Sequence, residues 1–266
     1  MMKNIVVVTG ASSGIGKEFA TQISESVKEI DEIWAIARDE KNLDELKEII
    51  KIPVVALPLD LTKESDINLY REKLNRERPN VRILVNSAGF GKFGHEETIP
   101  TDVKLNMVDL NIKAILSLVD YTLPYMFDNS NIINIASCAA FQPIPYINVY
   151  AATKAFILSY SRALNRELKY RGVHVLAVCP FWTKTRFFDR AIDKSKKDVV
   201  IKYAAMYEAK DVVKKALKDM NKCKDISVYG FVNNFQRGLV KFLPHRIVMN
   251  VWMKQQKLNG TPDIRE

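Results

Sequence analysis

The stretch from Asn4 to Gly16 constrains the rest of the chain more than any other. NIVVVT is an unbroken apolar run that ends in the glycine-rich turn TGASSGIG, and a helical pattern starts at once, with Ile15, Phe19, Ile23 and Val27 four apart. Such a run suits a parallel strand covered by helices on both faces, whereas a half-exposed strand would alternate. Gly10, Gly14 and Gly16 stand where backbone comes close to a ligand, with Ser12, Ser13 and Ile15 between them. The helix start beyond them offers free N–H groups to a pyrophosphate.

The alternation continues along the chain. Strands are expected over Glu32–Ala37, Val54–Leu57, Ile83–Val85, Asn131–Ala136 and Val173–Cys179. Helices are expected over Leu43–Ile50, from near Thr62, over Asp102–Tyr125 and over Val149–Arg171. This order predicts a doubly wound parallel sheet with ligands beyond the carboxyl ends of its strands. Asp60 with Leu61, and Asn86 with Ala88 and Gly89, fall at such ends and are candidate adenine and ribose contacts. The acid that normally holds the adenosine ribose, about 20 positions past the glycines, is missing; Arg38 stands there instead. Asp39 reads as a helix cap. With Lys17 close by, NADP(H) is favoured over NAD(H).

The chain has 266 residues, 47% of them hydrophobic, enough for a packed core, and it shows no linker, repeat or low-complexity tract. The N-terminal apolar run is too short for a signal peptide, and the three cysteines suggest neither a disulfide framework nor a metal set. A reducing, cytoplasmic setting follows. His95, His174 and His245 are too scattered for a metal site, so no metal is expected. A net charge of +9 admits nucleic acid, an anionic membrane or a phosphorylated ligand. No basic stripe interleaved with stacking aromatics favours nucleic acid.

The chemistry points to Tyr150 and Lys154, four apart on one helical face, a proton donor beside a fixed positive charge. A neighbouring cation is expected to lower the phenol pKa. Ser137 stands at the end of the fifth strand, and Asn111 sits among apolar neighbours, where a helix kink or a helix–helix hydrogen bond would satisfy it.

With these motifs the sequence resembles the short-chain dehydrogenase/reductases of the compact single-domain kind. TGASSGIG is similar to their cofactor loop and NSAG to their adenine-side motif, and Asn111, Ser137, Tyr150 and Lys154 match four catalytic positions in order. The resemblance covers roughly residues 4 to 230. It implies a Rossmann-type αβα fold and hydride exchange between a nicotinamide and a carbonyl or alcohol. Ser137 would bind the substrate oxygen, Tyr150 donate the proton, Lys154 hold the nicotinamide ribose and Asn111 keep a water behind Lys154. Pro180, Thr183 and Thr185 would meet the nicotinamide. Two departures stand out: Ser87 replaces the second asparagine of the adenine-side motif, and Phe181 follows Pro180 where relatives have glycine.

Ala139, Phe141, Gln142, Tyr146, Phe181, Trp182, Phe187 and Phe188, with Ser137 and Tyr150, are the expected substrate lining, suited to a small hydrophobic ketone, aldehyde or secondary alcohol. Cys138 reads as a small wall residue. Arg186–Tyr203, with Arg190, Lys194, Lys196 and Lys197, reads as a lid or a solvated loop. Residues 1–230 are expected to form the dinucleotide-binding and catalytic domain, and 231–266 a helical, basic extension on or beside it. In that extension Phe231, Phe235, Leu239 and Phe242 recur at helical spacing, followed by Pro244 and a second helix with Ile247, Val251 and Trp252. The stripe reads as packing on the core or a partner subunit, with a peripheral membrane anchor as the alternative. Relatives commonly form homodimers or homotetramers through the helices bearing Asn111 and Tyr150. The rival function is a non-enzymatic NADP(H) sensor or scaffold, which a broken catalytic set would have favoured.

Overall fold

The computed structural model describes residues 2–192, 199–203 and 205–258. In chain order the strands and α-helices are β1 (Asn4–Thr9), α1 (Gly14–Ser26), β2 (Glu32–Ala37), α2 (Glu40–Ile49), β3 (Val54–Pro58), α3 (Glu64–Glu77) and β4 (Asn80–Asn86). There follow α4 (Thr101–Val108), α5 (Ala114–Thr122), β5 (Asn131–Ile135), α6 (Asn148–Glu167), β6 (His174–Val178), β7 (Thr183–Lys184) and α7 (Phe187–Ala191). β8 (Tyr207–Glu208), α8 (Ala209–Met220), β9 (Ile226–Ser227), α9 (Phe231–Val240) and α10 (His245–Gln255) complete the set.

The main sheet has seven strands in the order β3-β2-β1-β4-β5-β6-β9, each pair parallel. The period-2 alternation of β1 shows why its sequence is apolar throughout. Val6 and Val8 join Phe19 and Ile23 of α1, Leu43 and Leu46 of α2 and Val212 and Ala216 of α8 in one core cluster. Ile5 and Val7 join Tyr70, Leu74, Ile115, Leu118 and Ile157 in the other. The strand is therefore buried on both faces, as a central strand of a three-layer αβα sandwich must be. This is the Rossmann-type fold that the motifs imply. Reversal of strand order at the β1/β4 boundary opens a crevice above their carboxyl ends, the place where such sheets bind ligands.

Two stretches differ from expectation. The helix foreseen over Asp102–Tyr125 is α4, a π turn at Asp109–Lys113, α5, and a 3₁₀ turn at Leu123–Tyr125 that takes in Pro124, which cannot supply a backbone donor. The sheet also gains β9, whose two residues are too few for any periodicity to reveal. The tail forms two helices meeting at Pro244, as expected, and its core packing is partial: Trp252 packs against the core, whereas Phe231, Phe235, Leu239 and Phe242 are exposed and Asn233 and Val240 are the buried positions of α9.

Candidate active site

A cavity of about 700 Å³ lies beyond the carboxyl ends of β1, β4, β5 and β6. At one end its wall is Gly10, Ser12, Ser13, Gly14 and Ile15, with the first turn of α1. Gly10 holds φ 65°, and a Cβ there would lie 2.9 Å from the Ala88 amide nitrogen. Gly16 is not on the wall: a Cβ on it would meet the Gly10 carbonyl oxygen at 2.3 Å, so its missing side chain lets α1 start flush against the loop. Thr9, which the sequence did not single out, ties this loop to the next. Its buried hydroxyl accepts the Ser87 and Ala88 N–H groups, each at 3.0 Å.

Arg38, Asp60 and Leu61 line the same end, as do Ala88 and Gly89. Asp39 caps α2 as expected, accepting the Asn42 N–H at 3.2 Å. Burial opposes the Asp60 carboxylate, but two hydrogen bonds from Thr62 and the charges of Arg38 and Lys63 outweigh it and hold its pKa below the usual value. A second cation reaches this corner from α7: the Arg190 guanidinium lies 4.0 Å from the centroid of the Phe90 ring. Its burial and the nearby Arg38 charge lower its pKa, while Asp60 acts the other way. Lys17 does not join them, because its ammonium lies 3.8 Å from Glu45 and off the wall.

Asn86 is also placed differently from the expected adenine contact. It is buried and off the wall, donating to Asn134 Oδ1 at 2.8 Å, while Asn134 donates to Ser161 at 2.9 Å. The strand places this side chain within the layers rather than at the cleft, and Ser87 is the one that lines it.

Midway along the wall stand Ser137, Tyr150 and Lys154. Ser137 caps a 3₁₀ turn, its hydroxyl accepting the Ala139 N–H at 3.1 Å. Tyr150 is half-buried and Lys154 buried, one turn apart on α6. The Lys154 ammonium donates to the Ile135 carbonyl at 2.7 Å and lies 5.7 Å from the centre of the Tyr150 ring. Burial pushes the lysine down to about 8, with Cys179 acting weakly the other way. Burial likewise pushes the Tyr150 phenol up to about 12, opposed by its hydrogen bond with Ser137. The lowering expected from Lys154 is not the dominant effect here: burial of the phenol outweighs it.

Asn111 lies in the π turn, fully buried and off the wall. Its amide group donates to the Phe90 carbonyl at 2.9 Å and to Thr153 Oγ1 at 3.1 Å, and its Oδ1 accepts the Phe90 N–H at 3.1 Å. Of the two ways of satisfying it read from its apolar context, the helix–helix hydrogen bond is present, made from a π turn. Its side chain clamps the loop after β4 to the helix that carries Tyr150.

The far end is aromatic. Ala139, Gln142, Phe181, Trp182, Phe187 and Phe188 line it, and Pro180, Thr183 and Thr185 separate it from the glycine loop. The Phe187 ring centre lies 5.4 Å from that of Tyr150. Tyr146 is not on the wall; its ring packs edge-on against His95 at 4.6 Å. Phe141 is off it too, under the guanidinium of Arg237. Cys138 is a wall residue whose thiol donates to the Cys179 carbonyl at 3.2 Å, and burial pushes its pKa upward. Of the foreseen lid, Lys194, Lys196 and Lys197 lie outside the described residues. The wall is completed by residues of the tail that the sequence did not assign to it, among them Phe235, Leu239, Val251 and Trp252. Trp252 is fixed by donating its indole N–H to the Pro145 carbonyl at 3.1 Å.

A glycine cradle, a Ser-Tyr-Lys wall and an aromatic pocket on a doubly wound sheet define a nucleotide-dependent oxidoreductase site. The model of the short chain dehydrogenase family matches residues 4–196, and the chain belongs to that family. It is 33% identical over 180 residues to an uncharacterized oxidoreductase of Staphylococcus epidermidis, covering 67% of this chain and 77% of that one. It is 31% identical over 193 residues to a very-long-chain 3-oxoacyl-CoA reductase of Danio rerio, covering 68% of this chain but only 60% of the relative. Among solved structures, a short-chain dehydrogenase from Sphingobium yanoikuyae in complex with NADPH superposes with a TM-score of 0.75 at 27% identity, covering 99% and 98% of the two chains.

Proposed function

We propose that the protein is an NADP(H)-preferring reductase of hydrophobic ketones or aldehydes, or the corresponding alcohol dehydrogenase. The observation that carries this reading is that Ser137, Tyr150 and Lys154 share one cavity wall, between a glycine cradle and an aromatic pocket. The residues present fit a dinucleotide. Gly10 lets the two loops close beside the cavity, Gly16 lets α1 start flush against the glycine loop, the α1 start presents free N–H groups, and Arg38 with Arg190 suits a ribose 2′-phosphate. Lys154 lies where it can hold the nicotinamide ribose, and Thr183 and Thr185 suit the nicotinamide itself. When bound, the cofactor supplies or accepts the hydride.

The protein's own part is to bind and protonate. Ser137 donates a hydrogen bond to the substrate oxygen, and Tyr150 delivers a proton there as negative charge develops, turning C=O into CH–OH once hydride reaches the carbon. A phenol pushed up to about 12 is fully protonated at neutral pH, the form that reduction requires. The charge of Lys154 stabilises the phenolate left behind. Asn111 positions both through Thr153 and Phe90. With all four positions assembled, a sensor or scaffold role without catalysis is disfavoured.

A screen of aromatic ketones, aldehydes and secondary alcohols against both cofactors, followed at the nicotinamide absorbance, tests the reading; no turnover with any of them would refute it. NADPH should bind about 10-fold to 100-fold tighter than NADH, the range of one or two charge-assisted hydrogen bonds, and Arg38→Ala should abolish most of that preference. Equal affinities by fluorescence titration would leave the phosphate unassigned. Assembly as a homodimer or homotetramer through α6 and the continuous helical run from α4 through the Asn111 π turn to α5 is supported by exposed Phe156 and Leu105 on them, and light scattering tests it.

A further inference from the structure

The two tail helices carry an apolar face that the core does not cover. Phe231 and Phe242 are 86% and 82% exposed and Phe235 is 65% exposed, with Leu239, Ile247 and Val251 near half. Phe231, Phe235, Leu239 and Phe242 share one side of α9 and its exit by their spacing, so they form a patch rather than scattered single residues. Single exposed apolar residues are ordinary, but a patch marks a contact surface. Lys241, over the Phe242 ring, and Arg246 and Lys254 of α10 stand exposed, and residues 231–257 contain no Asp or Glu. Phe235, Leu239 and Val251 also line the cavity, which makes this face the outer rim of the substrate pocket.

We propose that this face docks on an anionic lipid bilayer, with Phe231 and Phe242 entering the headgroup–acyl boundary, and that a lipophilic carbonyl substrate passes from the bilayer through the rim into the pocket. The second half of this rests on the reading of the pocket as a hydrophobic-carbonyl site. Charge selects the occupant. Two copies meeting through this face would set Lys241, Arg246 and Lys254 of each against the other with no acid in the segment to offset them. Anionic headgroups supply the missing counter-charge, at about a five-fold gain in partitioning per cation. The contact is peripheral, since among the described residues no helix is long and apolar enough to cross a membrane.

The test is co-sedimentation of the full-length protein with phosphatidylcholine vesicles, with and without phosphatidylserine. Binding is expected to the anionic vesicles only, and to weaken as salt is raised. F231S/F242S should bind at least about ten-fold more weakly, and K241E/R246E, which removes two cations and adds two anions, more than about 25-fold more weakly. Neither pair lies on the cavity wall, so both variants should keep wild-type turnover of a small water-soluble ketone. No binding by the wild-type protein at low salt, or equal binding by F231S/F242S, overturns the proposal. So does a dimer in light scattering that F231S/F242S dissolves, which gives the face to a second copy. Vesicle binding by a protein that reduces no carbonyl would keep the docking and remove the substrate reading; carbonyl reduction without vesicle binding would do the reverse.

Discussion

Tyr150 and Lys154 show how burial and function pull against each other in single side chains. Replacing Tyr150 by Phe keeps the ring contact with Phe187 and removes the proton, so turnover should fall by at least about 10²-fold with cofactor affinity little changed. Stopped-flow turnover beside a binding titration checks this; near wild-type turnover would move the acid elsewhere. For Lys154 the sign is set by a folded-state pKa of about 8, below the ordinary lysine value of 10.5. Between those values the unfolded chain binds more protons, so the wild-type protein gains stability as pH rises through this window, on the order of 2 kcal/mol from pH 7 to 9.5. Lys154→Met has no such charge to desolvate. Its stability relative to wild type should therefore be greatest near pH 7 and decline toward pH 9.5, as denaturant melts at the two pH values would show, even though cofactor binding is lost.

At the scale of elements, the β1–α1 junction depends on an absent side chain. Gly16→Ala should push α1 away from the Gly10 carbonyl, lowering stability by roughly 1–3 kcal/mol and weakening dinucleotide binding. A thermal melt and a cofactor titration read the two effects, and an unchanged affinity would show that the loop tolerates the shift. This junction was legible in the sequence because burial on both faces and a glycine turn leave direct marks on residue type. So was the Tyr150–Lys154 pair, because one helical turn fixes their common face. The π turn was not: one extra residue in a turn changes the phase of a helix without requiring any particular side chain. Lys17 was placed near the cleft by its position after the last glycine and Asn86 by its place at a strand's carboxyl end, yet helix phase takes Lys17 to Glu45 and strand pleat takes Asn86 to Asn134. The tail posed a related problem. Spacing shows that a helix has an apolar side but not that the core lies on that side.

Across the whole molecule, the tail and the segment near the pocket hold each other. Gln256 is buried, accepting the Ile201 and Lys202 N–H groups at 2.9 Å each and donating to the Lys202 carbonyl at 3.0 Å. Gln256→Ala frees peptide groups that water can reach, so the effect should be local opening and not global unfolding. Amide exchange at Ile201 and Lys202 should accelerate by roughly ten-fold or more, and KM for a bulky ketone should rise, with little change in melting temperature. Exchange at wild-type rates would mean that other contacts hold the segment.

The strand order also sets a timetable for biosynthesis. β1 must pair with β4, whose last residue, Asn86, leaves the ribosome long after Thr9, an interval of roughly 4–15 seconds at about 5–20 residues per second. As β2 emerges it can pair with β1, and β3 in turn with β2, but the other edge of β1 stays open, and its Ile5–Val8 run is wholly apolar. A nascent chain of this order therefore exposes one edge of an apolar central strand until β4 emerges, which makes that interval one in which a chaperone would protect it.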